Sequence, residues 1–313
     1  MQIYFAPLEG ITGYVFRNAY AKYYGGVDRY FTPFITPHTK KLMNSREKRD
    51  ILPENNRGID VVPQVLTNKA EELIDISRRL LEYGYNEINL NLGCPSRTVT
   101  AKGKGSGFLE NTKELEEFFD RFFKVADTKL SIKTRIGVYE TSETERLFHI
   151  FERFPFSEVI VHARLQQEFY QGIPHHDIFE QFCASSRHTL CYNGDIFSKE
   201  QLDALHMRFI NCDKYMLGRG LLFRPDMLDE TIDTTCMNAE RIKKFLLFHD
   251  ALVEGYDAYM CGDRNVLFKM KELWSYWGTQ FKEQHKLLKQ IKKTDTLVEY
   301  QSLVKQLLDA AIK

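Results

Sequence analysis

The sequence predicts an α/β fold in which a (β/α)8 TIM barrel over residues 1–230 is followed by an all-helical C-terminal domain over residues 235–313. Three observations support this. Up to about residue 220, short apolar runs rich in β-branched and aromatic residues alternate with longer stretches of helical period, the pattern of a parallel sheet built from strand–helix units. There are eight such runs, the number that closes a barrel. An open doubly wound sheet would share the alternation, but here polar residues collect at the ends of the runs. Gln64, Asn91, Lys133, Arg135, His162, Arg164, Asn193 and Arg219 end or follow apolar runs from several strands, where a barrel assembles its active site.

In chain order the expected strands are residues 3–7, 30–34, 61–65, 87–92, 130–135, 158–162, 190–193 and 215–218. Amphipathic stretches at 70–83, 112–125, 143–154 and 199–207 supply helices between them. After Pro225 the strand signal stops, and residues 239–253, 266–281 and 284–293, continuing towards 296–312, read as helices. Between Arg264 and Lys293 eight basic residues face two acidic ones, interleaved with Trp274, Tyr276 and Trp277. That is the electrostatic footprint of a polyanion-binding face, or else a solvated helix surface.

Composition narrows the class. The 313 residues are 43% hydrophobic and 27% charged, which suits a folded globular chain and excludes collagen-like or disordered types. Forty-three basic residues balance 43 acidic ones, so any nucleic-acid binding must come from local segregation of charge. No segment approaches the roughly 18 apolar residues of a membrane span, and no basic leader opens the chain, so a cytoplasmic protein is expected. The six cysteines lack CxxC spacing, so reduced thiols and no metal are expected.

Several residues could carry chemistry. Asn91-Leu92-Gly93-Cys94-Pro95 leaves a strand through Gly and Pro, and Gly103, Gly105 and Gly107 follow in a loop with Arg97, Lys102 and Lys104. A thiol there, with a reference pKa of about 8.5, is protonated at neutral pH and can donate to a substrate carbon; the plain alternative for any cysteine is a small buried hydrophobe. Lys133 and Arg135 alternate along one strand and so face the same side. Cations inside a barrel require an anionic partner, such as a reduced flavin or a neighbouring carboxylate. His162 and Arg164 repeat that spacing on the next strand. Asn193-Gly194-Asp195 and Gly218-Arg219-Gly220 follow the seventh and eighth strands, where barrels often bind phosphate. Neither a P-loop nor a Rossmann fingerprint is present.

Together these motifs resemble the tRNA-dihydrouridine synthase family along nearly the whole chain. They run in the family's order: residues 6–12 (Ala-Pro-Leu-Glu-Gly-Ile-Thr), Pro63-Gln64, 91–96 (Asn-Leu-Gly-Cys-Pro-Ser) with Val99, 133–137 (Lys-Thr-Arg-Ile-Gly), 162–164 (His-Ala-Arg) with Tyr170 and Gly172, 193–196 (Asn-Gly-Asp-Ile) and 218–220 (Gly-Arg-Gly). The resemblance implies an FMN-containing barrel with a helical RNA-binding domain. It implies that NADPH reduces the FMN, that hydride then passes to carbon 6 of a uracil, and that Cys94 protonates carbon 5. Carried over, Pro7, Leu8 and Glu9 would border the flavin. Gln64 and Lys133 would hydrogen-bond its ring, His162 would touch it, and Asn193, Gly194, Asp195, Gly218 and Arg219 would hold its phosphate. Asn91, Arg135 and Arg164 would lie near the entering uridine, while Lys286, Lys289 and Lys292 would grip the RNA backbone. Thr67, Ser106, Ala163, Glu168 and Arg224 depart from the family's usual residues, and Glu168 could alter how a nucleotide sits near the mouth. The expected partners are tRNA and NADPH, with no membrane or metal, and a monomeric chain. The same chemistry on rRNA, a flavin barrel reducing a free pyrimidine, and an RNA-binding module without turnover are the alternatives.

Overall fold

A computed structural model describes residues 1–37 and 42–312. Its nine strands are β1 (Gln2–Phe5), β2 (Arg29–Phe31), β3 (Val61–Val62), β4 (Gln64–Val65), β5 (Glu87–Leu92), β6 (Lys129–Gly137), β7 (Val159–Leu165), β8 (Leu190–Asn193) and β9 (Lys214–Leu217). They form one parallel sheet in the order β3-β2-β1-β9-β8-β7-β6-β5-β4. The two ends of that order are halves of a single run, split at Pro63, which has no N–H for a ladder. Val61 pairs with Tyr30 on one side, and Gln64 pairs with Asn89 on the other. One run thereby bridges both neighbours and closes a TIM barrel of eight staves, as the eight apolar runs predicted.

Around the barrel lie α1 (Tyr14–Tyr23), α2 (Ser45–Ile51), α3 (Ala70–Glu82), α4 (Arg97–Thr100), α5 (Thr112–Val125), α6 (Glu143–Glu152), α7 (His176–Ser185), α8 (Lys199–Arg208) and α9 (Arg219–Phe223). Helix α5 shows why such segments form. Asn111 accepts the N–H of Glu114 as a cap, and Leu115, Phe118, Phe119 and Phe122 bury one face. Strands β6 and β7 run past their expected ends because they extend each other's ladder, through an irregularity after Arg135, as far as Gly137 opposite Leu165. Tyr4, Phe31, Val62, Ile160, Cys191 and Met216 cluster as a separate apolar layer of inward strand residues. That layer makes the interior a packed floor rather than a pore.

Four further helices follow: α10 (Ala239–Asp257), α11 (Asp263–Trp277), α12 (His285–Ile291) and α13 (Leu297–Ala311). The expected continuous helix from 284 breaks after Ile291, where the Thr294 hydroxyl donates to the Ile291 carbonyl and Thr296 caps α13 by accepting the Glu299 N–H. These helices pack against the barrel. Gly255 in α10 meets Val15 so closely that a Cβ there would lie 2.6 Å from the valine side chain. Arg241 pairs with buried Asp226 and donates to Gln280, whose amide donates to the Phe223 carbonyl at 2.5 Å. The tryptophans interleaved with the basic residues form core and not a base-stacking surface. Trp274 and Trp277 are 1% and 0% exposed and pack on Phe245, with the Trp274 indole donating to Tyr300. Their apolar area outweighs any gain from exposing them on the basic face. Among the described residues no helix is long and apolar enough to cross a membrane.

Candidate active site

The C-terminal ends of the strands surround a cleft of about 970 Å³ that opens to solvent. Pro7, Leu8, Glu9, Gln64, Asn91, Cys94, Lys133, Arg135, His162, Asn193, Gly194, Asp195, Gly218 and Arg219 all line it. The topology explains the convergence, because these residues come from the parallel staves of one barrel and from the loops at their C-terminal ends.

A chain of side-chain amides fixes the thiol. Asn89 donates to Ser131 Oγ, Gln64 donates to Asn89 Oδ1, and Asn91 donates to Gln64 Oε1, with distances of 3.0, 2.8 and 2.8 Å. Asn91 Oδ1 then accepts the N–H groups of Gly93 and Cys94 at 3.1 and 2.9 Å. On the far side the Cys94 carbonyl accepts both the backbone and the hydroxyl of buried Ser106. Gly105 makes this approach possible: at φ +59° a Cβ there would fall 2.7 Å from the Cys94 carbonyl oxygen. Burial pushes the Cys94 thiol up, and the nearby cations Arg135 and Lys133 only partly oppose it. The site therefore holds a protonated thiol at neutral pH.

The paired cations of β6 do different work. Lys133 donates to Asn193 Oδ1 at 2.8 Å, and Asn193 is itself held by the Met216 carbonyl. Burial, with Arg135 adding to it, lowers the lysine to about 8. One N–H is used there, leaving two donors for a ligand. Arg135 ties the Gly93, Leu165 and Phe169 carbonyls together at 2.9, 2.7 and 2.7 Å, which joins the loop after β5 to the end of β7 and the loop beyond it. These partners are neutral, so the carboxylate alternative does not account for the two charges. Burial, then the surrounding cations, pushes His162 well below the usual imidazole range, and it is neutral at physiological pH.

Arg164 is not on the cleft surface. Its side chain is 0% exposed, donates to the Gln171 and Gly172 carbonyls and reaches Asp195 Oδ2 at 2.5 Å. Asp195 Oδ1 accepts from Arg219 at 2.6 Å, so the carboxylate is engaged by two guanidiniums, and the three side chains carry a net positive charge. Glu168, which departs from the family's usual residue, turns inward: it accepts the Leu165 N–H at 2.7 Å and meets His175 at 2.8 Å. It shapes the loop rather than the mouth. Lys286, Lys289 and Lys292 are exposed on and after α12, away from the cleft lining.

The sequence placed Tyr170 in a motif without giving it a role, and Asn89 and Phe197 were missed. Tyr170 lines the cleft at 49% exposure, with Arg219 4.5 Å and Arg135 5.6 Å from its ring centre. Asn89 belongs to the amide chain, and its spacing of two from Asn91 on one strand was the available signal. Phe197 faces the other side of Arg219 at 5.5 Å, a pairing between neighbouring loops that only the closed barrel creates.

The sequence profile described as dihydrouridine synthase matches residues 4–312. A probable tRNA-dihydrouridine synthase of Staphylococcus epidermidis is 26% identical over 262 residues, covering 80% of this chain and 78% of that relative. A tRNA-dihydrouridine synthase B of Vibrio parahaemolyticus is 25% identical over 267 residues, covering 82% and 81%. Among solved structures, morphinone reductase shares the fold with a TM-score of 0.52 at 11% identity, over 72% of this chain and 84% of that one.

Proposed function

This chain belongs to the dihydrouridine synthase family, and from that premise we propose that it reduces the 5,6 double bond of specific uridines in tRNA, with FMN as cofactor and NADPH as reductant. One observation carries the reading: a protonated thiol, two cationic side chains and a phosphate-type loop pair converge on one cleft at the barrel mouth.

The residues present fit a flavin mononucleotide. Lys133 keeps two free donors, Gln64 keeps one N–H and one lone pair beyond its two hydrogen bonds, and His162 is a neutral ring nearby. Gly194, Gly218 and Arg219 present amides and a guanidinium for a phosphate, with Asp195 already neutralised by its two arginines. Bound there, FMN would supply to carbon 6 of the uracil a hydride first received from NADPH.

The chain's own residues do the rest. Cys94 gives its thiol proton to carbon 5, and the resulting thiolate is stabilised by Lys133 and Arg135 until it regains a proton from water at the open mouth. Asn91 acts by positioning, since its amide is committed to Gln64 and to the Gly93 and Cys94 backbone. Arg164 likewise positions Asp195 and the loop at Gly172 instead of touching the base. Residues 235–313 form the helical RNA-binding unit in this reading, with Lys286, Lys289 and Lys292 against the backbone. Mass-spectrometric quantification of dihydrouridine in separated tRNA and rRNA, from a host lacking its own synthases, tests the proposal. Product in tRNA that depends on this protein is expected. Product confined to rRNA would change the substrate, and none in either would refute the assignment.

A further inference from the structure

A uridine that enters the cleft remains part of a chain, so its neighbours must lie against the protein beside the mouth. A second cavity of about 650 Å³ opens there, where α1 and α2 meet α10 and α11. The two cavities adjoin at the first loop: Glu9 lines the cleft, Gly10 lines the second cavity, and Arg46 of the second cavity pairs with Glu9.

Its walls combine rings and cations. Tyr14 and Tyr259 stand with ring centres 5.8 Å apart, and the Arg49 guanidinium lies 5.0 Å from the centre of the Tyr259 ring. Lys269, from α11, reaches across to donate to the Gly10 carbonyl at 2.6 Å. Asp50, a carboxylate in the wall, accepts the Tyr14 N–H at 2.8 Å. Arg49 forms no ion pair with a carboxylate among the described residues. Aromatic rings beside a guanidinium with no carboxylate partner are suited to a nucleotide, the base against the rings and the phosphate at the cation.

We propose that this cavity binds a nucleotide adjacent to the reacting uridine, its base against Tyr14 and Tyr259 and its phosphate at Arg49. The proposal rests on the reading of the enzyme as an RNA reductase. A dinucleotide reductant carries similar groups, but RNA is favoured by the cavity's position. Tyr256, Tyr259, Met260 and Lys269 in its wall come from the C-terminal helical region, and the consecutive residues Glu9 and Gly10 join it to the cleft.

The test uses the full-length holoenzyme with Arg49→Gln, Arg49→Lys and Tyr259→Leu. RNA affinity is measured across salt concentrations, and flavin reduction by NADPH is measured without RNA. Arg49→Gln should weaken RNA binding roughly tenfold and lower the log–log salt slope by about 0.7–0.9. Arg49→Lys should restore the slope, Tyr259→Leu should weaken binding with the slope unchanged, and NADPH reduction should be unaffected throughout. Unchanged RNA affinity would overturn the proposal, as would an equal loss for Arg49→Gln and Arg49→Lys with no change of slope, which marks a purely structural role. A change confined to NADPH reduction would assign the cavity to the reductant and overturn it too. Because wild-type product formation is scored separately, failure of the cavity proposal is distinguishable from failure of the RNA-reductase reading.

Discussion

At the scale of single residues, two side chains carry the proposed chemistry. Cys94 is held by backbone bonds on both sides, so its replacement should leave the fold and the flavin site in place. Cys94→Ala is expected to keep bound flavin reducible by NADPH while slowing product formation about 10²- to 10⁴-fold, read by single-turnover mass spectrometry. Unchanged turnover would remove it from the mechanism. Lys133 would hold its proposed function at the expense of stability. Its folded pKa of about 8 lies below the ordinary 10.5, so the unfolded chain binds the proton more tightly. The folded protein is therefore penalised below pH 8, and the penalty fades as pH rises from 8 to 10.5. Lys133→Met should raise the Tm of the flavin-free protein at pH 7, by about 2 kcal/mol in stability. That gain should shrink towards pH 10, and flavin affinity should fall. A gain that persists at high pH would contradict the stated cause.

Elements of the barrel deliver these residues, and their close approaches are the vulnerable points. Helix α9 presents Arg219 because Gly220 lets it rest on the preceding loop: a Cβ at Gly220 would sit 2.0 Å from the Ile196 carbonyl oxygen. Gly220→Ala must push the two loops apart, at a cost of about 2–3 kcal/mol. Urea denaturation should show the lowered midpoint, and flavin titration should show weakened binding in the same variant. Normal flavin affinity at reduced stability would mean that this pair of loops does not carry the phosphate end. The split at Pro63 is a second such point, since one run serves both neighbours only because the ladder is interrupted there.

For the whole molecule, a chain of zero net charge that binds RNA as proposed must place its basic residues where RNA lies. The exposed cations of α12 meet that condition, whereas Lys269 and Lys271 are committed to the Gly10 and Thr294 carbonyls. Replacing Lys286, Lys289 and Lys292 with Gln should weaken RNA binding and flatten its log–log salt slope by about 2 if all three meet phosphates. An unchanged slope would return α12 to an ordinary solvated surface.

The division between sequence and tertiary structure follows from the range of the forces involved. Periodicity is local, so the eight staves, the bounds of α5 and the polar strand ends could all be read along the chain. The cleft residues were readable too, because a barrel brings strand ends together whatever the loops do. Partner choice is not local. The chain alone could not show that Asn91 serves Cys94, that Arg164 is buried against Asp195, or that the tryptophans beside the basic residues face the core. Those outcomes depend on which groups are desolvated together once the barrel closes, and a buried donor, carboxylate or indole must then take the partner that packing places beside it.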